Sequence, residues 1–333
     1  MQEIITLDYG SGGKKTSSLI EEIILPLMGN DILDELGDAA VLSGAEKLVF
    51  STDSFVVSPY FFPGGNIGKL SVCGTVNDVC MQGGDPRYLS LSLIIEEGLP
   101  MEDLKEIARS IADTAKAAGV RIVTGDTKVV ERGHGDGLYI NTAGIGTLKS
   151  PWLSKKGIRP GDRVIVSGTV GDHGAAVMLA RNEDLLTGEL LSDCAPLKEP
   201  ALALSALGED LRIMRDPTRG GVATTLCEFA EGSSFSIRLD ETAIPVAPQV
   251  ASACDILGLD PLYCANEGKL LVVVAKERAD EALGILRRFP VSENAAVIGE
   301  VRDEYPGKVL VRTRIGGSRI VAKLAGAQLP RIC

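Results

Sequence analysis

The sequence predicts an α/β protein of two domains, and three observations carry that prediction. At 333 residues the chain is longer than one hydrophobic core usually supports. Its apolar content is aliphatic, 45% hydrophobic with only 4% aromatic, and 38 glycines supply tight turns. Helical and strand periodicities also alternate along the chain.

In order, a short apolar stretch at 4–7 precedes the glycine-rich Gly10-Ser11-Gly12-Gly13-Lys14-Lys15. Leu19, Ile20, Ile23, Ile24 and Leu27 then share one face of a helix. Lys47 to Thr52 reads as a strand ending at Asp53. The clearest helix spans 101–118, where Leu104, Ile107, Ala108, Ile111, Ala112 and Ala115 recur at i, i+3, i+4 and Gly119 stops it. Arg121 to Thr124 is then a strand delivering Gly125-Asp126. Turn residues and charge cluster at 149–162, and Arg163 to Gly168 opens a second α/β unit with later strands at Lys269–Ala275, Ala296–Val301 and Lys308–Thr313. The expected domains are 1–150 and 155–312, followed by a mobile tail, 313–333.

That tail ends on a cysteine. A last-residue thiol has chain on one side only and is poorly wrapped by core, but it can enter a pocket. Seven residues separate Gly326 from Cys333, a reach of roughly 20 to 25 Å when extended. Whether the tail rests inside or outside a cleft is left open.

The net charge of −11 argues against a nucleic-acid or anionic-membrane surface. Met1 to Asp8 carries no secretory pattern, and no apolar run approaches the ~20 residues of a membrane span. The seven cysteines (73, 80, 194, 227, 254, 264, 333) are odd in number and never form Cys-x-x-Cys, which predicts a reducing, cytoplasmic compartment without structural zinc.

Four aspartates in the first half sit in similar surroundings: Asp38, Asp53, Asp78 and Asp126. Asp53 and Asp126 are expected directly after strands, where loops converge on ligands. Carboxylates with neighbouring oxygens such as Asn77 and Thr127 are the hard ligands of Mg²⁺, with nucleotide phosphates completing its shell. The phosphates need donors free of bulk, which Gly10, Ser11, Gly12, Gly13 and Lys14 offer beside a helix N-terminus. The loop is not a Walker A motif, since Asp8 stands five residues before Gly13. Gly171-Asp172-His173-Gly174 and Asp216-Pro217-Thr218-Arg219-Gly220-Gly221 either close over a nucleotide from the other side or are simply turns.

Read together, Gly37-Asp38-Ala39-Ala40, Thr52-Asp53-Ser54-Phe55, Val76-Asn77-Asp78-Val79, Gly125-Asp126-Thr127-Lys128-Val129 and those two turns resemble the ordered motifs of the PurM-like ATP-utilising superfamily. The resemblance covers essentially the whole chain. Within that group, Pro330-Arg331-Ile332-Cys333 is similar to the ending of HypE-type hydrogenase maturation factors. It implies a PurM-like fold whose N-terminal sheets meet as a dimeric barrel in a homodimer. It also implies that Cys333 accepts a carbamoyl group from a HypF-type carbamoyltransferase. ATP-dependent dehydration then gives a thiocyanate, the source of cyanide delivered through a HypC–HypD-type assembly complex to nickel-iron hydrogenase. Mg²⁺-ATP would be held by Asp38, Asp53, Asp78 and Asp126 with the Gly10–Lys14 loop, Asn77, Thr127 and Asp216. Lys128, His134 and Glu267 would surround the reacting group, with Asp78 alongside.

The chemistry is coherent. Turning S–C(=O)NH₂ into S–C≡N requires loss of the carbonyl oxygen, which leaves only once phosphorylated, and of both nitrogen protons, which demands a base. The adjacent α-carboxylate disfavours thiolate, so Arg331 or a cationic pocket is expected to activate Cys333. A kinase or synthetase of the same fold is the alternative. However, selenophosphate synthetases place Cys or selenocysteine where this loop has Ser11, and thiamine-monophosphate kinases need no terminal cysteine. A non-catalytic thiol carrier would leave the aspartates without purpose, and ATP hydrolysis separates the two.

Overall fold

The computed structural model describes residues 3–11, 13–37, 39–182, 189–323, 326, 329 and 331–333. The predicted N-terminal helix forms in pieces: α1 (Lys14–Leu19), a π-helical turn (Ile20–Ile24) and α2 (Leu25–Met28). Next come β1 (Leu48–Phe55), a small hairpin of β2 (Phe61–Phe62) and β3 (Gly65–Asn66), and α3 (Ile67–Met81). β4 (Gly84–Glu96), α4 (Met101–Ala118), β5 (Arg121–Val130) and β6 (Leu138–Leu148) complete the first half. The helix read from the 101–118 periodicity is therefore present, and Gly119 at φ 61° closes it in the left-handed conformation.

The first sheet has the order β1-β6-β4-β5, with β4 and β5 parallel across the α4 connection and the other pairs antiparallel. Asp53 and Asp126 do not follow their strands, as the sequence suggested; they lie inside them. β1 stays paired beyond Asp53, which faces Thr142 of β6, and β5 runs on past Asp126, which faces Ser92 of β4. Long neighbouring strands supply backbone partners that a single-strand reading cannot anticipate. One face of this sheet carries α3 and α4. The other presents Leu48, Phe50 and Ile94, with Phe50 66% exposed.

The second half comprises β7 (Arg163–Val166), α5 (Asp172–Arg181), α6 (Lys198–Leu204), β8 (Leu211–Arg215), α7 (Gly221–Ala230) and β9 (Ser236–Asp240). α8 (Pro248–Leu257), β10 (Leu271–Val274), α9 (Ala279–Leu286), β11 (Ala296–Arg302), β12 (Val309–Arg312) and β13 (Ser318–Val321) follow. Its sheet order is β13-β12-β9-β11-β7-β10-β8. β13 lies within the segment read as a tail and pairs antiparallel with β12.

α3 joins the halves. Asn66 caps its start by accepting from the amides of Gly68 and Lys69. Nearly every α3 residue is buried, as a helix sandwiched on all sides must be. A single apolar cluster runs from Leu70 and Val76 through Leu197 and Leu204 to Leu270 and Ile332. Among the described residues no helix is long and apolar enough to cross a membrane.

Candidate active site

Three segments of the second half are tied together by one side chain. Asn266, fully buried, accepts from the amide of Gly171 at 2.7 Å and donates to the carbonyls of Pro217 and Cys264 at 3.0 and 3.1 Å. The two glycine-rich turns noted in the sequence thus converge on the residue preceding Glu267. Asp193 fixes the next two positions, accepting from the amides of Glu267 at 3.1 Å and Gly268 at 3.2 Å, while its charge is met by Lys269 at 3.3 Å. Only glycine fits at 268, because a Cβ there would stand 1.8 Å from the Asp193 carbonyl oxygen. Glu267 is held in place as a result, and its Oε1 is buried with no hydrogen-bond partner among the described residues.

The chain terminus lies beside it. Cys333 is buried in the cleft, with its carbonyl accepting from the amide of Val56 at 3.3 Å. The carbonyl of Arg331 accepts from the amide of Ser58 and from Arg181, and that of Ile332 bonds His173 Nε2 at 2.8 Å. The question left open by the sequence is answered for the last three residues, 331–333, which sit inside the cleft. Of the two expected activators, Arg331 or a cationic pocket, Arg331 does not serve the thiol. Its guanidinium turns outward to Asp136 and donates to the carbonyl of Val56. The cation at the sulfur is Arg219, whose Nη2 lies 3.5 Å from Cys333 Sγ.

Electrostatically the cleft is dominated by burial. Burial pushes the Cys333 thiol up to about 12, reinforced by Glu267 and opposed by Arg219. Burial likewise drives Glu267 well above the ordinary carboxyl range, with Cys194, Asp216 and Asp193 adding to the effect. Asp216 is raised to about 7 by burial and then by Asp78. Asp53 and Asp78 are raised mainly by burial as well. Asp78, on α3, accepts from Ser51 of β1 at 2.7 Å, and Asp53 accepts from its neighbour's amide at 2.7 Å.

The other predicted residues fall elsewhere. Gly12 and Asp38 lie outside the described residues. Gly10 and Thr16 border a cavity of about 220 Å³ together with Asp126, Thr127 and Lys128, and Ile20, Ile24 and Leu33 form its apolar wall. Gly10 approaches β5 so closely that a Cβ would lie 2.4 Å from the amide of Val129. Ser11 bonds the carbonyl of Asp8, Gly13 caps α1, and Lys14 is exposed. Asp126 and Lys128 pair with each other at 2.6 Å, both largely exposed. His134 is exposed on the β5–β6 turn, which reaches the tail through Asp136 rather than through His134. The Asn77 amide is committed to backbone, donating to Ala195 and Glu267 and accepting from Leu197.

The sequence reading gave no role to Arg219, His173, Asn266 or the Ser192-Asp193 pair. The first two were visible inside glycine-rich motifs. Ser192-Asp193 left only a faint signal, two polar residues before the apolar Cys194-Ala195-Pro196-Leu197.

This arrangement has counterparts. The AIR synthase related protein N-terminal domain matches residues 36–148 and the corresponding C-terminal domain matches 159–312. Carbamoyl dehydratase HypE of Cupriavidus necator is 47% identical over 332 residues, covering 99% of this chain and 95% of that protein. A crystal structure of hydrogenase maturation protein HypE in complex with ATP superposes with a TM-score of 0.94 at 47% identity, covering 98% of this chain and 99% of that one. The HypE chain of a HypE–HypF complex has a TM-score of 0.80 at 48% identity over 92% of this chain and 100% of its own. With a terminal cysteine seated against a buried glutamate in a PurM-like fold, and likeness of this extent along its whole length, the chain belongs to the HypE family of carbamoyl dehydratases.

Proposed function

We propose that the cleft around Cys333 is where this carbamoyl dehydratase works on its own C-terminus, converting an S-carbamoyl group on Cys333 to a thiocyanate with consumption of ATP. The single observation that carries this is the docked terminus: Cys333 Sγ rests 3.5 Å from Arg219 and within the field of Glu267, whose Oε1 has no hydrogen-bond partner among the described residues. A carbamoyl group on that sulfur would extend into the Glu267 and Arg219 surroundings. Its carbonyl oxygen attacks the terminal phosphorus of ATP and ADP leaves. Base removes one proton from nitrogen, then a second as the C–O bond breaks, giving S–C≡N and phosphate. Glu267 is the base we assign. Burial disfavours its charge, so once ionised it is a stronger base than a solvated carboxylate. Arg219 holds the sulfur and offsets charge that develops beside it.

ATP phosphates are assigned to the Gly10–Lys14 loop and the Thr127–Lys128 rim around the 220 Å³ cavity. Mg²⁺ fits the cleft's donor chemistry, because Asp53, Asp78 and Asp216 are hard oxygen ligands, and the charge of Asp78 raises the pKa of both of the others. No three acidic, His or Cys side chains form a complete metal cage among the described residues, so phosphate oxygens would supply further ligands. Asp53 and Asp78 are the residues we assign to hold the ion, with Asp38 and Asp126 as further candidates. Lys128 and His134 are assigned to the approach of the β5–β6 turn over the tail.

The carbamoyl donor is proposed to be a HypF-type protein, supported by the resemblance to the HypE chain of the HypE–HypF complex. A HypC–HypD-type complex is the proposed acceptor of the product. The open face bearing Leu48, Phe50 and Ile94 supports a homodimer joined through this sheet, and seven free thiols support a cytoplasmic location. The decisive experiment is intact and peptide mass after incubation with HypF, carbamoyl phosphate and ATP. One carbamoyl adduct followed by loss of one water, both confined to Cys333, is expected. Cys333→Ala should abolish both while keeping its ATP-induced melting shift; thiocyanate on any other cysteine overturns the reading.

A further inference from the structure

His173 does not touch the reacting sulfur, yet it is one of only two histidines in the chain and is fully buried. Its Nδ1 lies 2.8 Å from Ser192 Oγ and its Nε2 lies 2.8 Å from the carbonyl oxygen of Ile332, the residue before Cys333. These contacts settle the tautomer. A backbone carbonyl can only accept, so Nε2 carries the hydrogen. Burial favours the neutral ring, which leaves Nδ1 as an acceptor for the Ser192 hydroxyl. Ser192 Oγ is free to donate because it accepts in turn from the amide of Cys194 at 3.1 Å. The ring plane is fixed by Phe62, packed edge-on at 5.2 Å and 88°, and Ser192 is anchored by its own amide on the carbonyl of Pro63 at 2.8 Å. The charged groups facing the ring are Asp193, next to Ser192, and Arg181 on α5.

We propose that His173 is a substrate-positioning residue: its Nε2–H, in the tautomer set by Ser192, grips the Ile332 carbonyl and so seats the cysteine against Arg219 and Glu267. The relay runs from the Cys194 amide through Ser192 and His173 to the tail. Asp193, between those two residues, fixes the backbone of Glu267. One short segment, 192–194, therefore sets both the base and the substrate carrier, which explains how groups from opposite ends of the second half hold register. With the tail withdrawn, a buried N–H loses the acceptor it has at Ile332, so the imidazole favours the seated state. The dehydration part of this inference rests on Cys333 carrying the carbamoyl group; the seating part does not.

The test uses full-length protein with His173→Phe, which fills the space without a donor, His173→Gln, which keeps an N–H near the Nε2 position, and Ser192→Ala. Two readouts are taken: the rate of Cys333 alkylation by iodoacetamide, and single-turnover loss of water from HypF-carbamoylated protein. Melting temperature and ATP half-saturation are followed alongside. In His173→Phe, alkylation is expected to accelerate several-fold and dehydration to fall by about 10²-fold, the usual penalty for a reacting group displaced by an ångström. ATP half-saturation should stay put. His173→Gln should recover part of both losses, and Ser192→Ala should fall between wild type and His173→Phe. Unchanged alkylation in His173→Phe overturns the proposal, as does a Gln variant no better than Phe at equal melting temperature, since packing rather than the donor would then matter. If His173→Phe fails to fold, Ser192→Ala decides: wild-type alkylation and dehydration in that variant refute the relay. Altered alkylation in a protein whose tail is never dehydrated supports the seat while overturning the carrier reading.

Discussion

The cleft around Cys333 and the rim around Asp126 are built from the same residue types, carboxylates with a nearby cation, yet they behave in opposite ways. At the rim, Asp126 and Lys128 meet at 2.6 Å with both side chains more than half exposed, and the Lys128 hydrogen bond holds the Asp126 carboxyl below its usual range. In the cleft, Asp53, Asp78, Asp216 and Glu267 are all raised, in each case by burial first. The rim is an already neutralised pair in water. The cleft is a desolvated set of acids with one arginine committed to sulfur, and it gains from a cation or from protons. The difference is solvent access, not composition, and it marks the cleft as the place for proton transfer.

Glu267→Gln tests the cleft side hardest. Dehydration should fall by about 10²- to 10⁴-fold, the usual cost of losing a positioned base, with the carbamoyl adduct on Cys333 accumulating in mass spectra. The same variant should be more stable than wild type near neutral pH. Glu267 has a raised pKa in the folded state, so its stabilising contribution is fully present below the ordinary glutamate value and is lost as pH rises through its folded value. The gap in melting temperature should therefore close on acidification. A Gln variant that is less stable at every pH would show that Glu267 is ionised and paired, and would erase the contrast with the rim.

The thiol gives a subtler probe. Because the docked Cys333 titrates near 12, docking is favoured while the thiol is neutral and is lost as pH rises from the ordinary thiol value toward 12. Alkylation of Cys333 should climb with pH across that window more steeply than for an exposed thiol. A curve matching a model peptide would mean that the tail is not held.

The smallest effect belongs to the rim. Asp126→Asn or Lys128→Met should change stability by no more than about 0–1 kcal/mol, as befits an exposed pair, and added salt should remove even that. A larger loss of stability would show that the rim is buried in the assembled protein, and the comparison would have to be redrawn.

Much of the framework was legible because it depends on local order. The i, i+3, i+4 pattern of 101–118 produced α4, with its stop at Gly119, and the Val-rich run at 269–275 produced β10. Glu267 and Cys333 could be picked out as a pair only through motif resemblance, since 66 residues separate them in the chain of 333. Of the two activators expected for Cys333, Arg331 or a cationic pocket, only the pocket is present, through Arg219. Arg331 adopts a left-handed φ of 55°, so the chain turns there, and its guanidinium goes outward to Asp136 while Cys333 goes inward.

By itself, then, the sequence determined the alternation of strands and helices, the placement of carboxylates and glycines in motifs, and a thiol at the end of a chain able to reach a cleft. These follow from periodicity, backbone freedom and residue chemistry, which are local properties. Tertiary structure alone decided that Arg219, 114 residues away, faces Cys333, that His173 grips Ile332 from 159 residues away, and that Asp193 fixes Glu267 across 74. Tertiary structure also decided which acids lose their water, and since desolvation is the largest influence on Asp53, Asp78, Asp216 and Glu267, it decided which of many carboxylates can act as a base.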